Sequence, residues 1–240
     1  MPALSAYDHK LDYSYAPGLF PAMECLLHRP NAALRVLVSS KGRDGADKLI
    51  ALAEQLHIRV EEADRALSRI SGKENCFAAA VFEKFTDELA QDRPHLVLHE
   101  VSDGGNIGTM LRTALGFGLE DVALIRPCAD PFDPRTVRAS MGSLFSLRLH
   151  VYDCFEEYRR EHPAHTLYPF MLDSSRSLPD VVAQGLESPW SLIVGHEGHG
   201  LPPVFAELGQ AVRIPSNDKV DSLNVAVAAA IGMYAMTQGR

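Results

Sequence analysis

Short apolar runs alternate with segments of helical periodicity along most of the chain. From Leu34 the run LRVLVSS predicts a buried strand, DKLIALAEQLH a helix and IRVEE a second strand, which together predict a βαβ-like start. A short helical stretch, ADRALSRI, leads to the small-residue strand FAAAVFE, which ends near Phe85. The polar stretch TDELAQDRP, closed by Pro94, predicts a linker over residues 86–94 between a first domain, 1–85, and a second, 95–240. Beyond it the runs HLVLHEV, DVALIRP, LRLHVYD, TLYPFML, SLIVGHE and AVRIP predict six strands, most of them separated by helical patterns. That alternation predicts a mostly parallel sheet covered on both faces. Ligands of such sheets bind outside the carboxyl ends of the strands, so the loops that follow the strands carry the candidate chemistry.

Composition narrows the class. With 240 residues, 46% hydrophobic and 22% charged, the chain is that of an ordered globular protein with room for two cores. The apolar stretch from Leu223 to Met236 is Ala-rich and shorter than the roughly 20 residues that span a bilayer, so it predicts a buried helix. The N-terminus lacks a basic start followed by an apolar run, which predicts a cytoplasmic protein without a membrane anchor. Cys25, Cys76, Cys128 and Cys154 form no CxxC pair and suggest neither a zinc site nor a disulfide framework. A net charge of −8 argues against a broad basic surface, so any nucleic-acid contact must be local.

Three loops stand out. After Val101 comes SDGGNIGTMLRTALG, where Gly104 and Gly105 permit a tight turn, Asn106 is a candidate helix cap and Arg112 follows on the helix. Its glycines do not have the GxGxxG spacing of a dinucleotide fold, which counts against a nucleotide-dependent oxidoreductase. After SLIVG comes HEGHGLPP, with Gly195, Gly198 and Gly200 around Glu197. His196, Glu197 and His199 are not a zincin HExxH, because the second histidine falls one residue early, and no metal is predicted there. The third loop, after AVRIP, ends in Ser222 and Asn224 before the apolar helix, a position where either residue would ordinarily serve as a cap.

In that order the loops resemble the three motifs of the SpoU (TrmH-like) group of SPOUT methyltransferases over residues 95 to 238. The matching positions are Asn106, Gly108, Arg112 and Ala114; then Gly195, Glu197 and Gly200; then Ile214, Pro215, Ser222, Leu223 and Asn224. Ser216 and Asp218 depart from the family's usual third loop. The resemblance implies a C-terminal α/β trefoil-knot domain with a mostly parallel sheet. It also implies a small α/β substrate domain before it, similar to RNA-binding ribosomal proteins, although Glu74, Asn75 and Cys76 replace the family's usual His-Gln-Gly. The implied activity is transfer of a methyl group from S-adenosylmethionine to a ribose 2′-hydroxyl of rRNA or tRNA. The rival with the same fold is an inactive RNA-binding relative.

Further implications fall on single residues. Cofactor contacts are implied at Val194, Gly195, Gly200, Ile214 and Leu223. Arg112 is implied as the group that receives or directs the ribose proton, Asn106 and Glu197 as a pair holding its loop, and Ser222 and Asn224 as residues shaping the site. A homodimer through the knotted domain is also implied. Arg126, Arg135, Arg138 and Arg148 are candidates for a local positive patch.

Overall fold

The computed structural model describes residues 4–42, 45–71, 76–217 and 219–238. Glu74, Asn75 and Asp218, at which the chain departs from the family pattern, lie outside the described residues. In chain order the elements are β1 (Tyr13–Pro17), α1 (Leu19–His28), β2 (Ala33–Val38), α2 (Asp47–Gln55), β3 (Arg59–Glu62), α3 (Asp64–Ser71) and β4 (Ala78–Glu83). There follow β5 (His95–His99), α4 (Gly104–Gly116), β6 (Asp121–Ile125), α5 (Pro134–Ala139), β7 (Arg148–Tyr152) and α6 (Phe155–Glu161). The chain closes with β8 (Thr166–Pro169), α7 (Leu178–Gln184), β9 (Trp190–Val194), α8 (Phe205–Leu208) and α9 (Val225–Thr237). Two compact units result: residues 1–85 with Asp130–Ser146, and Thr86–Ala129 with Leu147–Arg240.

In the first unit the sheet runs β1-β4-β2-β3. β2 and β3 are parallel across α2, the predicted βαβ start, while β4 runs antiparallel to both β1 and β2. Strand β1 was not legible in the sequence, because YSYAP is short and ends in a proline; all five of its residues are buried. Gly18 then turns the chain into α1 with φ +110, a backbone conformation that favours glycine.

Residues 130–146 join this unit through an aromatic cluster. Phe82 is fully buried, with Phe145 edge-on at 4.9 Å and Phe132 at 6.2 Å. Arg29 covers the Phe85 ring at 4.3 Å and donates from Nε to the Phe145 carbonyl at 3.1 Å.

The second unit holds a five-stranded sheet, all parallel, in the order β7-β6-β5-β9-β8. Five strands rather than six form it: Val212 and Arg213 make only isolated parallel bridges to Phe170 and Ser177. Pro215, which lacks an N–H, follows closely and prevents a longer ladder. Residues 86–94 are packed rather than free: Leu89 lies in the core with Val97, Ile193 and Tyr158, and the Ala90 N–H donates to Asp121 at 2.9 Å.

Asp121 is fully buried, and Arg148 donates to both of its carboxylate oxygens at 2.6 Å. Burial alone would raise its pKa, but the Arg148 and Ala90 hydrogen bonds outweigh burial and hold it below the usual carboxylate range. Arg148 is therefore committed to the fold and is removed from the candidate positive patch. Arg126 is likewise paired, with Asp153.

The chain winds outward from β5 through β6 to β7, crosses to the far edge at β8, and returns to place β9 beside β5. The winding direction changes between β5 and β9, so a crevice opens at their carboxyl ends. Both glycine-rich loops leave the sheet there.

Truncation of Phe82 removes the ring around which Phe85, Phe132 and Phe145 pack. Phe82→Ala is expected to cost about 3–5 kcal/mol of stability, measured by denaturant unfolding monitored on the first unit's aromatic signal.

Candidate functional site

The loop after β5 opens at Glu100, whose φ of +59 turns the chain sharply out of the sheet. Asp103 is the N-cap of α4 and accepts from the Asn106 N–H at 2.7 Å. Asn106 is thus not the cap that its position suggests. The carboxylate one turn earlier takes that role and leaves the Asn106 amide free.

That amide links the other two loops. Its Nδ2 donates to Glu197 Oε1 at 3.0 Å, and its Oδ1 accepts from Asn224 Nδ2 at 3.2 Å. Asn224 in turn caps α9, its Oδ1 accepting from Ala226 N at 2.9 Å and Val227 N at 3.3 Å. Both amide orientations are fixed by their outer partners: backbone N–H groups can only donate and a carboxylate only accepts, so Asn106 Nδ2 faces Glu197 and Asn224 Nδ2 faces Asn106 Oδ1.

Glu197 also accepts from the Ser102 N–H at 3.1 Å, the Ser102 hydroxyl at 3.0 Å and the Asp103 N–H at 3.0 Å. Partial burial would raise its pKa, but these donors, led by the Asn106 amide, outweigh it and bring the value down to about 2.

The loop after β9 closes tightly on itself. A Cβ at Gly195 would lie 2.5 Å from the Gly200 carbonyl carbon and 2.6 Å from the Leu201 nitrogen, and Gly200 has φ +67. Both glycines are required, for different reasons: close backbone approach at Gly195 and a left-handed turn at Gly200. His196 accepts from the Gly198 N–H at 2.9 Å, and its ring stacks on His199 at 4.1 Å.

A cavity of about 290 Å³ lies against this loop. Val194, Gly195, Gly200, Ile214 and Leu223, all named from the sequence as cofactor contacts, line it, as do Glu197 and Ser222. Asn106 and Asn224 do not line the cavity but brace it through Glu197. Arg112 is exposed on α4, outside the lining, and makes no hydrogen bond or ion pair among the described residues. Sequence reasoning missed Phe170–Asp173, which form another wall at the end of β8. The signal was available, since these residues follow a predicted parallel strand, but no polar motif marks them.

The arrangement fits an elongated, partly apolar ligand held by backbone at the mouth of a parallel sheet. Such a cavity is at the small end of ligand sites, which run to roughly 300–1,000 Å³. Gly195, where a side chain would collide with the opposing loop, leaves backbone free to meet the ligand directly.

The chain is similar to known proteins over most of its length. Residues 93–234 match the family model described as SpoU rRNA Methylase family. The chain is 32% identical over 213 residues to the 23S rRNA (guanosine(2553)-2′-O)-methyltransferase RlmP of Bacillus subtilis, covering 88% of this chain and 84% of the relative. It is 27% identical over 231 residues to the 23S rRNA (guanosine-2′-O-)-methyltransferase RlmB of Acinetobacter baylyi, covering 89% and 92%. The crystal structure of an AdoMet-bound rRNA methyltransferase from Sinorhizobium meliloti superposes with a TM-score of 0.79 at 24% identity, over 95% of this chain and 87% of that one. At that identity the likeness concerns the fold.

Because the native Glu197 carboxyl titrates near 2, below its value in the unfolded chain, it stabilises the fold fully above the ordinary carboxylate range. That contribution is lost as pH falls from about 5 through about 2. Glu197→Gln is expected to lower the thermal midpoint at neutral pH, and the gap from wild type should narrow steadily toward pH 3. A gap independent of pH would show that the charge is not what holds the loops.

Proposed function

The chain belongs to the SpoU rRNA methylase family, and from that premise we propose that it is an S-adenosylmethionine-dependent methyltransferase that modifies a ribose 2′-hydroxyl of rRNA or tRNA. The observation that carries this reading is the meeting of the second and third motif loops at one cavity, with the first loop tied to them by the Glu197–Asn106–Asn224 relay. A binding relative that transfers no methyl group would have no need of an exposed, unpaired arginine at the motif position of Arg112. The names of the related proteins support rRNA as the substrate class.

S-adenosylmethionine, when bound, supplies an electrophilic methyl group to the ribose oxygen. Val194, Ile214 and Leu223 offer apolar walls, and the Gly195 and Gly200 backbone gives close approach. Glu197 and Asn106 fix the first motif loop, and Ser222 and Asn224 shape its mouth. Alignment of the reacting atoms is the main contribution such a site can make. A guanidinium is a poor base, which favours a directing role for Arg112 over a proton-accepting one. Its part is to draw the phosphate beside the reacting ribose into place, so that the phosphate takes the proton.

Several further features complete the reading. Arg112 does not line the cavity of its own chain, which supports a homodimer in which it serves the partner's site. Val227, Ile231 and Tyr234 expose an apolar face of α9 suited to that contact. The bridges of Val212 to Phe170 and Arg213 to Ser177, which bring residues 212–213 back onto the end of β8, support a trefoil knot in the C-terminal domain. The first unit is the RNA-selecting domain, and the enzyme works in the cytoplasm; among the described residues no helix is long and apolar enough to cross a membrane.

Arg112→Ala is expected to bind S-adenosylmethionine within a few-fold of wild type by titration calorimetry, while methyl transfer to RNA falls at least 100-fold. Full activity in that variant would remove Arg112 from the mechanism.

A further inference from the structure

A cluster of three histidines lies at the opposite end of the sheet from the cavity and takes no part in the activity proposed above. His95 opens β5, His162 follows α6 and His165 precedes β8; all three are buried. One ring nitrogen of each lies within 4.8 Å of the others. The sequence offered no signal for them, since they stand far apart or in an unremarkable turn.

Hydrogen-bond bookkeeping fixes the tautomers of His95 and His162. His95 Nε2 donates to the Ala90 carbonyl at 2.7 Å and His165 Nε2 to the Gln91 carbonyl at 3.2 Å. A carbonyl only accepts, so His95 Nε2 carries hydrogen and the neutral His95 ring presents a bare Nδ1, while His165 has a second backbone partner at Trp190. The Tyr152 hydroxyl donates to Glu161 at 3.0 Å, so its contact with His162 Nε2 at 3.2 Å must be filled by hydrogen from the ring. His162 Nδ1 is then a bare lone pair too, and it is buried with no hydrogen-bond partner among the described residues.

His95 Nδ1 meets the Tyr158 hydroxyl at 2.9 Å, that hydroxyl meets Ser191 Oγ at 2.6 Å, and Ser191 Oγ meets His165 Nδ1 at 2.8 Å. His162 Nδ1 points inward beside this chain of contacts and has no hydrogen-bond partner among the described residues. A cation among these nitrogens supplies that partner. Neutral imidazoles are the form that binds metal ions.

We propose that His95, His162 and His165 form a structural site for a divalent transition metal of the zinc class, bound through their Nδ1 atoms. Imidazole nitrogen suits zinc among the biological metals. Each ring's outer nitrogen is already held by a carbonyl or hydroxyl, the support that metal-bound histidines commonly have. The Tyr158 and Ser191 hydroxyls lie beside the site as candidates for the fourth position. Binding draws the nitrogens together, toward the roughly 3.4 Å spacing of a tetrahedron with bonds of about 2.1 Å. The ion ties the α6–β8 turn to β5.

The test uses the full chain without a histidine tag, stripped of metal and titrated with Zn(II) and, separately, Co(II). One equivalent of Zn(II) retained through desalting, a higher thermal midpoint and the strong visible bands of tetrahedral Co(II) are expected. His162→Gln and His165→Phe should each weaken Zn(II) binding at least tenfold. If a variant fails to fold, the Co(II) spectrum of the wild type decides: weak octahedral bands overturn the proposal. It is overturned equally by a wild type that retains no metal, by binding unchanged in both folded variants, or by metal-free protein whose ¹⁵N spectrum contains a buried imidazolium.

Discussion

The Glu197 carboxylate gathers donors from Ser102, Asp103 and Asn106, and through Asn106 it reaches the cap of α9. A single charged group thereby fastens the loops that leave β5 and β9 to the start of the last helix. The sheet makes this possible. Because β9 lies beside β5 although the two are far apart in sequence, two loops with no local reason to meet emerge side by side. Neither loop could hold its shape alone: Gly104, Gly105, Gly195, Gly198 and Gly200 leave much of their backbone without stiffening side chains. Charge-assisted hydrogen bonds supply the rigidity that the glycines give up. The cavity is therefore open to backbone contact and still held in one geometry.

Much of this organisation was legible in the sequence for a physical reason. Buried parallel strands such as HLVLH and WSLIV are continuous apolar runs, and their positions, if not every boundary, follow from that alone. The three loops were found because they carry glycine, asparagine and a charged residue at strand ends. What the sequence concealed was non-local. The membership of 130–146 in the first unit depends on Phe132 and Phe145 meeting Phe82, and no local pattern announces a partner so far upstream. AVRIP looks like a strand because it is apolar, but Pro215 limits its pairing to bridges. The polar 86–94 segment resembles a linker until Leu89 is seen in the core. Asn106 was misread as a cap because Asp103, the actual cap, looks like an ordinary loop residue.

An acidic chain that modifies RNA must confine its attraction for phosphate to a few places. Arg126 and Arg148 are occupied by Asp153 and Asp121, which leaves Arg112 as the exposed arginine that the motif set marks for chemistry. A net charge of −8 argues against a broad basic surface, so contact with phosphate is local. The histidine cluster lies at the other end of the same sheet and depends on the same physics. Buried polar groups are as a rule matched, and the proposed cation would match the inward nitrogens there.

The cavity, held by the Glu197 relay, delivers a methyl group to a ribose oxygen. Ribosomal RNA from cells lacking the protein would be incubated with the enzyme and S-adenosylmethionine carrying a labelled methyl group, then hydrolysed in alkali. Methylation of the 2′-oxygen removes the nucleophile that cleaves the neighbouring phosphodiester, so the label should be recovered in alkali-resistant dinucleotides. Label in mononucleotides, which would place the methyl group on a base, would contradict the account.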